Sequence, residues 1–383
     1  MVNNVSIQTN HKVLVWARES LAISRTQASE KTGIPVKRLI QLEDGERLPT
    51  VDDLKEFSKI YKRTIATLLL SEPPKEKPLP SDRRTINSKE YVNFHEKTII
   101  AVRKARALAQ SYVELCQELG TKISKLNFNA SINEQPKNVA AKIREILNLY
   151  EVREIKNIDY VLDAYIEKVE TLGIAVFQLS VEEKDAIRGF SITDDIIPII
   201  GIKRGGEQAR SKTFTLFHEL GHILLNEGGL CDLSEKSNNQ IEKWCNAFAA
   251  EVLIPTSELL KMEKVIEQQK NGNKNWAIKD LEELANHFHV GRLAILRTLL
   301  ENNLTTSAFY QEKHQAWNKP TFGRAKNPEG RNIPKETIKE RGRTYISLAF
   351  SAYDKNRINL KDLSDYLGVR LSYIQSTRQL LHA

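Results

Sequence analysis

The 383-residue sequence predicts a mainly α protein with a small β-sheet, an α+β arrangement of more than one domain. Three observations predict it. Residues 11–70 break into short helical stretches punctuated by glycines and capping residues. Residues 88–120 and 138–172 repeat apolar side chains close to a 3.6-residue period. Short runs rich in β-branched residues, near 173–179, 189–192 and 196–202, stand before one apolar helix, residues 214–225.

The balance of residues is that of a soluble chain with a substantial core: 40% are hydrophobic and 28% charged. The length suits two or three domains. A net charge of +8 is compatible with nucleic-acid contact without requiring it. The cysteines, Cys116, Cys231 and Cys245, form no metal-binding spacing, and so sparse a set suggests a reducing compartment. The first residues lack an apolar leader core, and no run approaches about 18 apolar residues. A cytoplasmic protein without a membrane partner is expected. No internal repeat is strong enough to set the fold.

Residues 1–70 form the first expected domain. A helix spans 13–21. Ser24 is a candidate N-cap for a second, which runs to Thr32. Gly33 turns the chain, a third helix runs from about Pro35 to Glu43, and Asp44-Gly45 stops it. A fourth starts near Thr50, with Leu54, Phe57 and Tyr61 on one face, and Thr64 opens a fifth. Short helix, glycine turn, short helix is the helix-turn-helix pattern. Through Gly33-Ile34-Pro35, Leu39, Leu42-Glu43-Asp44-Gly45 and Leu48-Pro49-Thr50 the stretch resembles the XRE (Cro/CI-type) DNA-binding domain. Ala28-Ser29 departs from that pattern and is expected to loosen the packing of the second helix on the third. A recognition helix places its N-terminal residues on base edges. Here those are Val36, Lys37, Arg38 and Gln41, with Arg25 and Thr26 set for phosphate. Double-stranded DNA is the expected partner, the alternative being a protein-interaction module of the same shape.

Residues 71–84, with Pro73, Pro74, Pro78 and Pro80, read as a semi-rigid linker ending at Arg83-Arg84. Residues 85–135 read as a helical connector that packs on one domain or on a second subunit. Two helices follow within 138–172, with Ile143, Ile146, Leu147, Tyr160, Leu162, Ile166 and Val169 facing inward, and then the short strands.

The apolar helix carries His218-Glu219-Leu220-Gly221-His222. Residues four apart are neighbours on a helix, so two imidazoles can hold one metal ion. Glu219 stands beside that ion, in reach of a water proton. This is the HExxH arrangement of zinc peptidases. A catalytic zinc site takes a third protein ligand. The extended motif ending in a third histidine is absent, since Leu225 and Gly228 occupy its Gly and His positions. The next helical stretch, 235–253, has an apolar stripe of Ile241, Cys245, Phe248 and Val252, bordered by Glu242 and Asn246. Glu242 on that rigid element is the favoured ligand; Glu227, Asp232 and Glu235 are its rivals.

Arg210, Phe214-Thr215-Leu216, His218-Glu219-Leu220-Gly221-His222, Glu242, Asn246, Phe248-Ala249-Ala250 and Leu253-Ile254-Pro255 together resemble the ImmA/IrrE family of zinc metallopeptidases. Lys203 departs from an asparagine expected there. The resemblance implies a zincin-like domain, here 136–310, in which His218, His222 and Glu242 bind Zn2+ and Glu219 is the general base. It further implies a narrow protein substrate, typically a transcriptional repressor. His287 and His289 carry no motif and read as structural. Residues 278–301 have a helix-turn-helix look and are expected to support the site.

Residues 311–343 read as a basic, loop-like tether, and 344–383 as helices 345–353 and 360–381 that again look like a small helix-turn-helix unit. The expected function is that of a DNA-binding regulator carrying a zinc-dependent endopeptidase, possible as a homodimer. The alternative is a repressor or antitoxin-like DNA-binding protein whose zincin domain is a sensor or dimer platform.

Overall fold

The computed structural model describes residues 5–80, 94–206, 208–231, 240–317 and 332–381. The described residues divide into two compact units. The first draws on Met1–Leu79, Ser88–Lys104 and Ser180–Ala186, the second on the rest.

In the first unit, α1 (His11–Glu19), α2 (Arg25–Thr32), α3 (Val36–Glu43), α4 (Val51–Tyr61) and α5 (Ile65–Leu68) follow one another closely. Their starts are fixed locally. Asn10, Ser24, Thr50 and Thr64 each accept a backbone N–H of the first turn, and Ser24–Gln27 and Thr50–Asp53 close capping boxes. Leu14, Ala17, Leu39, Leu42, Phe57 and Tyr61 fill the core. Arg18 is buried but bidentate to Glu43, at 2.7 and 3.0 Å, so its charge is compensated. Ala28 and Ser29 do not loosen this packing. Ala28 is fully buried, and Ser29 Oγ donates to the Ile34 carbonyl at 2.7 Å, pinning the turn.

Residues 71–80 are irregular, and Glu76 pairs with Arg63 at 2.6 Å. The end of the linker, with Arg83-Arg84, and the start of the connector lie outside the described residues. The helix α6 (Glu96–Leu119) begins in the first unit. There it meets Ser180–Ala186. Buried Asp185 accepts the His95 backbone N–H at 3.2 Å and sits 2.6 Å from His95 Nδ1, while Thr98 Oγ1 accepts the Glu182 N–H at 3.1 Å.

The second unit runs α7 (Pro136–Ile146), α8 (Tyr150–Arg153), α9 (Ile158–Glu170), β1 (Ala175–Leu179), β2 (Gly189–Ile192), β3 (Ile199–Lys203), α10 (Ala209–Leu224), β4 (Gly229–Cys231) and α11 (Gln240–Leu253). The sheet order is β1-β3-β2-β4. Strands β1 and β3 are parallel, and β2 is antiparallel to both its neighbours. Helix α10 packs on β2, β3, α9 and α11. The core between these layers holds Val176, Ile200, Leu216, Phe217, Leu220 and Phe248. Strand β4 was not expected. Gly229 to Cys231 pair with β2, Cys231 opposite Gly189. Two inward assignments are corrected. Ile146 is 52% and Tyr160 50% exposed. Helix α7 buries Val139, Ala140 and Ile143, and at its end Leu147 takes the core position instead. Helix α9 buries Val161, Tyr165 and Val169, and Tyr160 lies on the opposite side.

Then come α12 (Thr256–Leu259), α13 (Glu263–Lys270), α14 (Ile278–His287), α15 (Arg292–Glu301), α16 (Ser307–Trp317), α17 (Ile333–Arg341), α18 (Arg343–Asp354), α19 (Leu360–Leu367) and α20 (Ile374–Leu381). The tether read as loop-like is helical at both ends, because α16 reaches Trp317 and Asn332 caps α17. Its middle, 318–331, lies outside the described residues. The stretch 360–381 is two helices, since Gly368 turns the chain at φ +63°. No described helix is long and apolar enough to cross a membrane.

Helix α17 packs on β1 and α18 on α9, with the Tyr345 ring edge-on to Phe177 at 6.4 Å. Thr344 Oγ1 donates to the half-buried Glu170 carboxylate. Burial, with Glu167 and Asp163 nearby, pushes Glu170 up from 4.5 to about 8. The folded chain thus keeps a proton there that the unfolded chain releases, and stability is lost as pH rises from about 4.5 through 8. Glu170→Gln should therefore melt above the wild type at pH 8.5 and close to it at pH 5. Melting curves in which the gap fails to widen with pH would contradict this.

Candidate metal centre

Helix α10 is apolar on most faces, and from Thr215 to Leu224 every residue is buried. It approaches α11 closely. A Cβ on Gly221 would stand 3.1 Å from Cys245 Sγ and 3.3 Å from the Phe248 ring, so the glycine sets the spacing of the two helices. That spacing brings Glu242, in the first turn of α11, over the two histidines. Glu242 Oε2 lies 3.2 Å from His218 Nε2, and Oε1 lies 3.3 Å from His222 Nε2. The two Nε2 atoms are 3.2 Å apart. All three side chains are at most 2% exposed.

This triangle is the spacing a tetrahedral ion demands. Bonds of about 2.0–2.1 Å put neighbouring ligand atoms about 3.3 Å apart. Neither Glu242 oxygen takes a conventional hydrogen bond in the described chain, and buried lone pairs left facing one another are costly. Burial would raise the Glu242 carboxyl, yet the facing His218 and His222 hold it down at about 2. The donors therefore include an anionic carboxylate, and two imidazoles with one carboxylate are a set that suits Zn2+. His218, His222 and Glu242 form the one group of this kind among the described residues. Of the rival ligands, Glu227 is outside it, and Asp232 and Glu235 lie outside the described residues.

Glu219 is fully buried and reaches toward β2. A Cβ on Gly189 would stand 2.7 Å from Glu219 Oε1 and 2.6 Å from the Thr215 methyl. Only a glycine leaves the carboxylate this position, a requirement that no motif revealed. Gly189→Ala should push the Glu219 carboxylate aside while leaving the three facing donors in place. A misplacement near 1 Å costs about 10²-fold in rate. A variant with wild-type kcat would remove Gly189 from the site.

The two unassigned histidines lie outside this group of donors. His289 adopts φ +55° and lies with Nε2 3.2 Å from the Arg153 carbonyl oxygen. His287 sets its ring edge against Phe288. Burial lowers both below the usual histidine range.

On α3, Val36 and Lys37 are exposed and Gln41 is half-buried; Thr26 on α2 is exposed. Arg25 and Arg38 are held differently. Arg25 bridges Glu43 at 2.8 Å and Asp44 at 2.9 Å, and Arg38 pairs with Asp53 at 2.6 Å. Both side chains nevertheless remain over a third exposed.

Residues 169–300 match the family model of the IrrE N-terminal-like domain of the M78 peptidases, and residues 14–68 match a helix-turn-helix family model. No curated protein and no solved structure matches the chain. The chain thus carries an XRE-type helix-turn-helix domain followed by an IrrE N-terminal-like peptidase domain.

Proposed function

We propose that this chain, with an XRE-type helix-turn-helix domain ahead of an IrrE N-terminal-like peptidase domain, is a DNA-binding regulator that hydrolyses peptide bonds in another regulatory protein. The observation that carries this reading is the buried triangle of His218, His222 and Glu242 beside a buried Glu219. A purely structural metal site has no need of that fourth side chain. His218, His222 and Glu242 would hold a zinc ion, which when bound polarises a scissile carbonyl and acidifies water. Glu219 takes the proton of the attacking water and returns it to the leaving amine. Gly189 keeps the carboxylate in place, and the apolar packing of α10 on α11 keeps the two imidazoles rigid. On the other domain, Lys37, Val36, Gln41, Thr26, Arg25 and Arg38 face DNA. A transcriptional repressor is the substrate class that suits a peptidase tied to a DNA-binding domain.

Native mass spectrometry of the purified chain reads the metal directly. New protein N-termini, compared between cells making the wild type and cells making Glu219→Gln, read the substrate. The expected result is a zinc-loaded chain and a few wild-type-specific cleavages in DNA-binding regulators. Zinc with identical N-termini in both cells would instead favour a sensor or dimer platform.

A further inference from the structure

The C-terminal helices repeat the architecture of the DNA-binding domain, and the repeat is carried by interactions rather than by residue identity. It holds one constant offset of 335 positions, seen from Ser24 to Asn359 and from Gly33 to Gly368. Ser24 opens α2 with a capping box to Gln27; Asn359 opens α19 with a capping box to Asp362. Gly33 ends α2 at φ +72°, and Gly368 ends α19 at φ +63°. Ser29 Oγ donates to the Ile34 carbonyl at 2.7 Å, and Ser364 Oγ donates to the Val369 carbonyl at 2.6 Å. Ahead of this, α1 closes with Ser20 N–H to Trp16 O and Leu21 N–H to Arg18 O. Helix α18 closes with Lys355 N–H to Ser351 O and Asn356 N–H to Tyr353 O, each shifted by the same number. A charge pair also links the first and third helices in each, one position out of register on the first helix: buried Arg18–Glu43 in one, exposed Asp354–Arg378 in the other. Ala17 and Ala352, fully buried, take equivalent places in the two cores.

We propose that residues 343–381 are a second helix-turn-helix head that binds duplex DNA. The positions matching Val36, Lys37, Arg38 and Gln41 are Leu371, Ser372, Tyr373 and Ser376. The first three are exposed and the last is half-buried, as in the first head Val36 and Lys37 are exposed and Gln41 half-buried. Both stretches carry a net positive charge, which complements a polyanion. Residues 343–381 hold six Lys or Arg against three acids, a net +3, and residues 11–70 hold 11 against 8, also +3. Hydroxyls at Ser372, Tyr373 and Ser376 can bond phosphate or base edges, and Leu371 can meet a thymine methyl as Val36 would. Arg370, just before the third helix, is exposed and suits a phosphate.

The test uses the full chain and duplexes enriched by it from a random 40-bp pool, read by fluorescence anisotropy across a salt series. Ser372→Glu with Ser376→Glu puts two anions on the proposed face without touching the core. Affinity should fall at least 10-fold, and the slope of log K against log salt should flatten by about one for each phosphate the protein no longer neutralises. Added to Lys37→Glu/Gln41→Glu, which disables the first head, the pair should abolish the remaining binding. Arg370→Ala, which inserts no charge, should give a smaller loss of the same sign. Unchanged affinity and slope in both the Ser372/Ser376 and Arg370 variants would overturn the proposal and leave this face to a protein partner. Loss of binding through the first head alone would overturn it equally.

Discussion

Glu219→Gln is expected to lower kcat/KM for peptide hydrolysis by roughly 10²–10⁴-fold, the range a positioned general base contributes. Zinc loading should match the wild type. The amide keeps the shape of the carboxylate but cannot take the water's proton, and Glu219 is not one of the three facing donors. Its site beside Gly189 tolerates an isostere and little else. Metal analysis and turnover on the same preparation check both halves. Wild-type turnover in the variant would remove Glu219 from the chemistry. Loss of zinc together with turnover would instead make Glu219 part of the metal's support.

Glu242→Ala is expected to act at the other step. It deletes the only carboxylate of the triangle and leaves two imidazoles, their Nε2 atoms 3.2 Å apart, to hold the ion. Outer-sphere partners of a zinc site are worth about 10–100-fold in affinity, so a direct ligand should cost at least about 100-fold. Activity should vanish and return in part with excess zinc, whereas added zinc should do nothing for Glu219→Gln. Competition with a chelator of known affinity measures the difference. A Glu242→Ala protein that binds zinc as tightly as the wild type would remove Glu242 from the ligands.

Much of this arrangement was legible because its causes are local. The helices of the first domain start at Ser24, Thr50 and Thr64 because each caps its own first turn. The grouping of His218 with His222 follows from helical spacing, and Glu242 from its place beside an apolar stripe. The features that escaped depend on distant partners. Strand β4 exists through its pairing with Gly189–Ser191. The arginines at positions 25 and 38, expected at DNA, also pair with Glu43, Asp44 and Asp53 in the folded chain, contacts that no local pattern announces. Ile146 and Tyr160 fit an apolar period and still face outward, since neighbouring residues fill the core. The C-terminal helix-turn-helix was legible in outline, but its position-by-position match to the first was not, for a different reason. The two copies agree in capping, turning and burial, while at most of the matched positions the residue types differ.

The membership of Ser180–Ala186 in the first unit has a consequence for how such a protein can be cut and recombined. The link between β1 and β2 is drawn from the middle of the peptidase sequence, yet Asp185 and Glu182 are fastened to His95 and Thr98. A peptidase fragment begun after residue 104 would therefore lose the His95 contacts of a buried aspartate only four residues before Gly189. Domain exchange at the proline-rich stretch would keep those bonds, because residues 94–104 would travel with the peptidase. A new head joined within 71–84 is expected to need its own partners for Glu96 and Arg103, which Lys31 and Ser20 supply here, and junctions inside α6 are expected to fail.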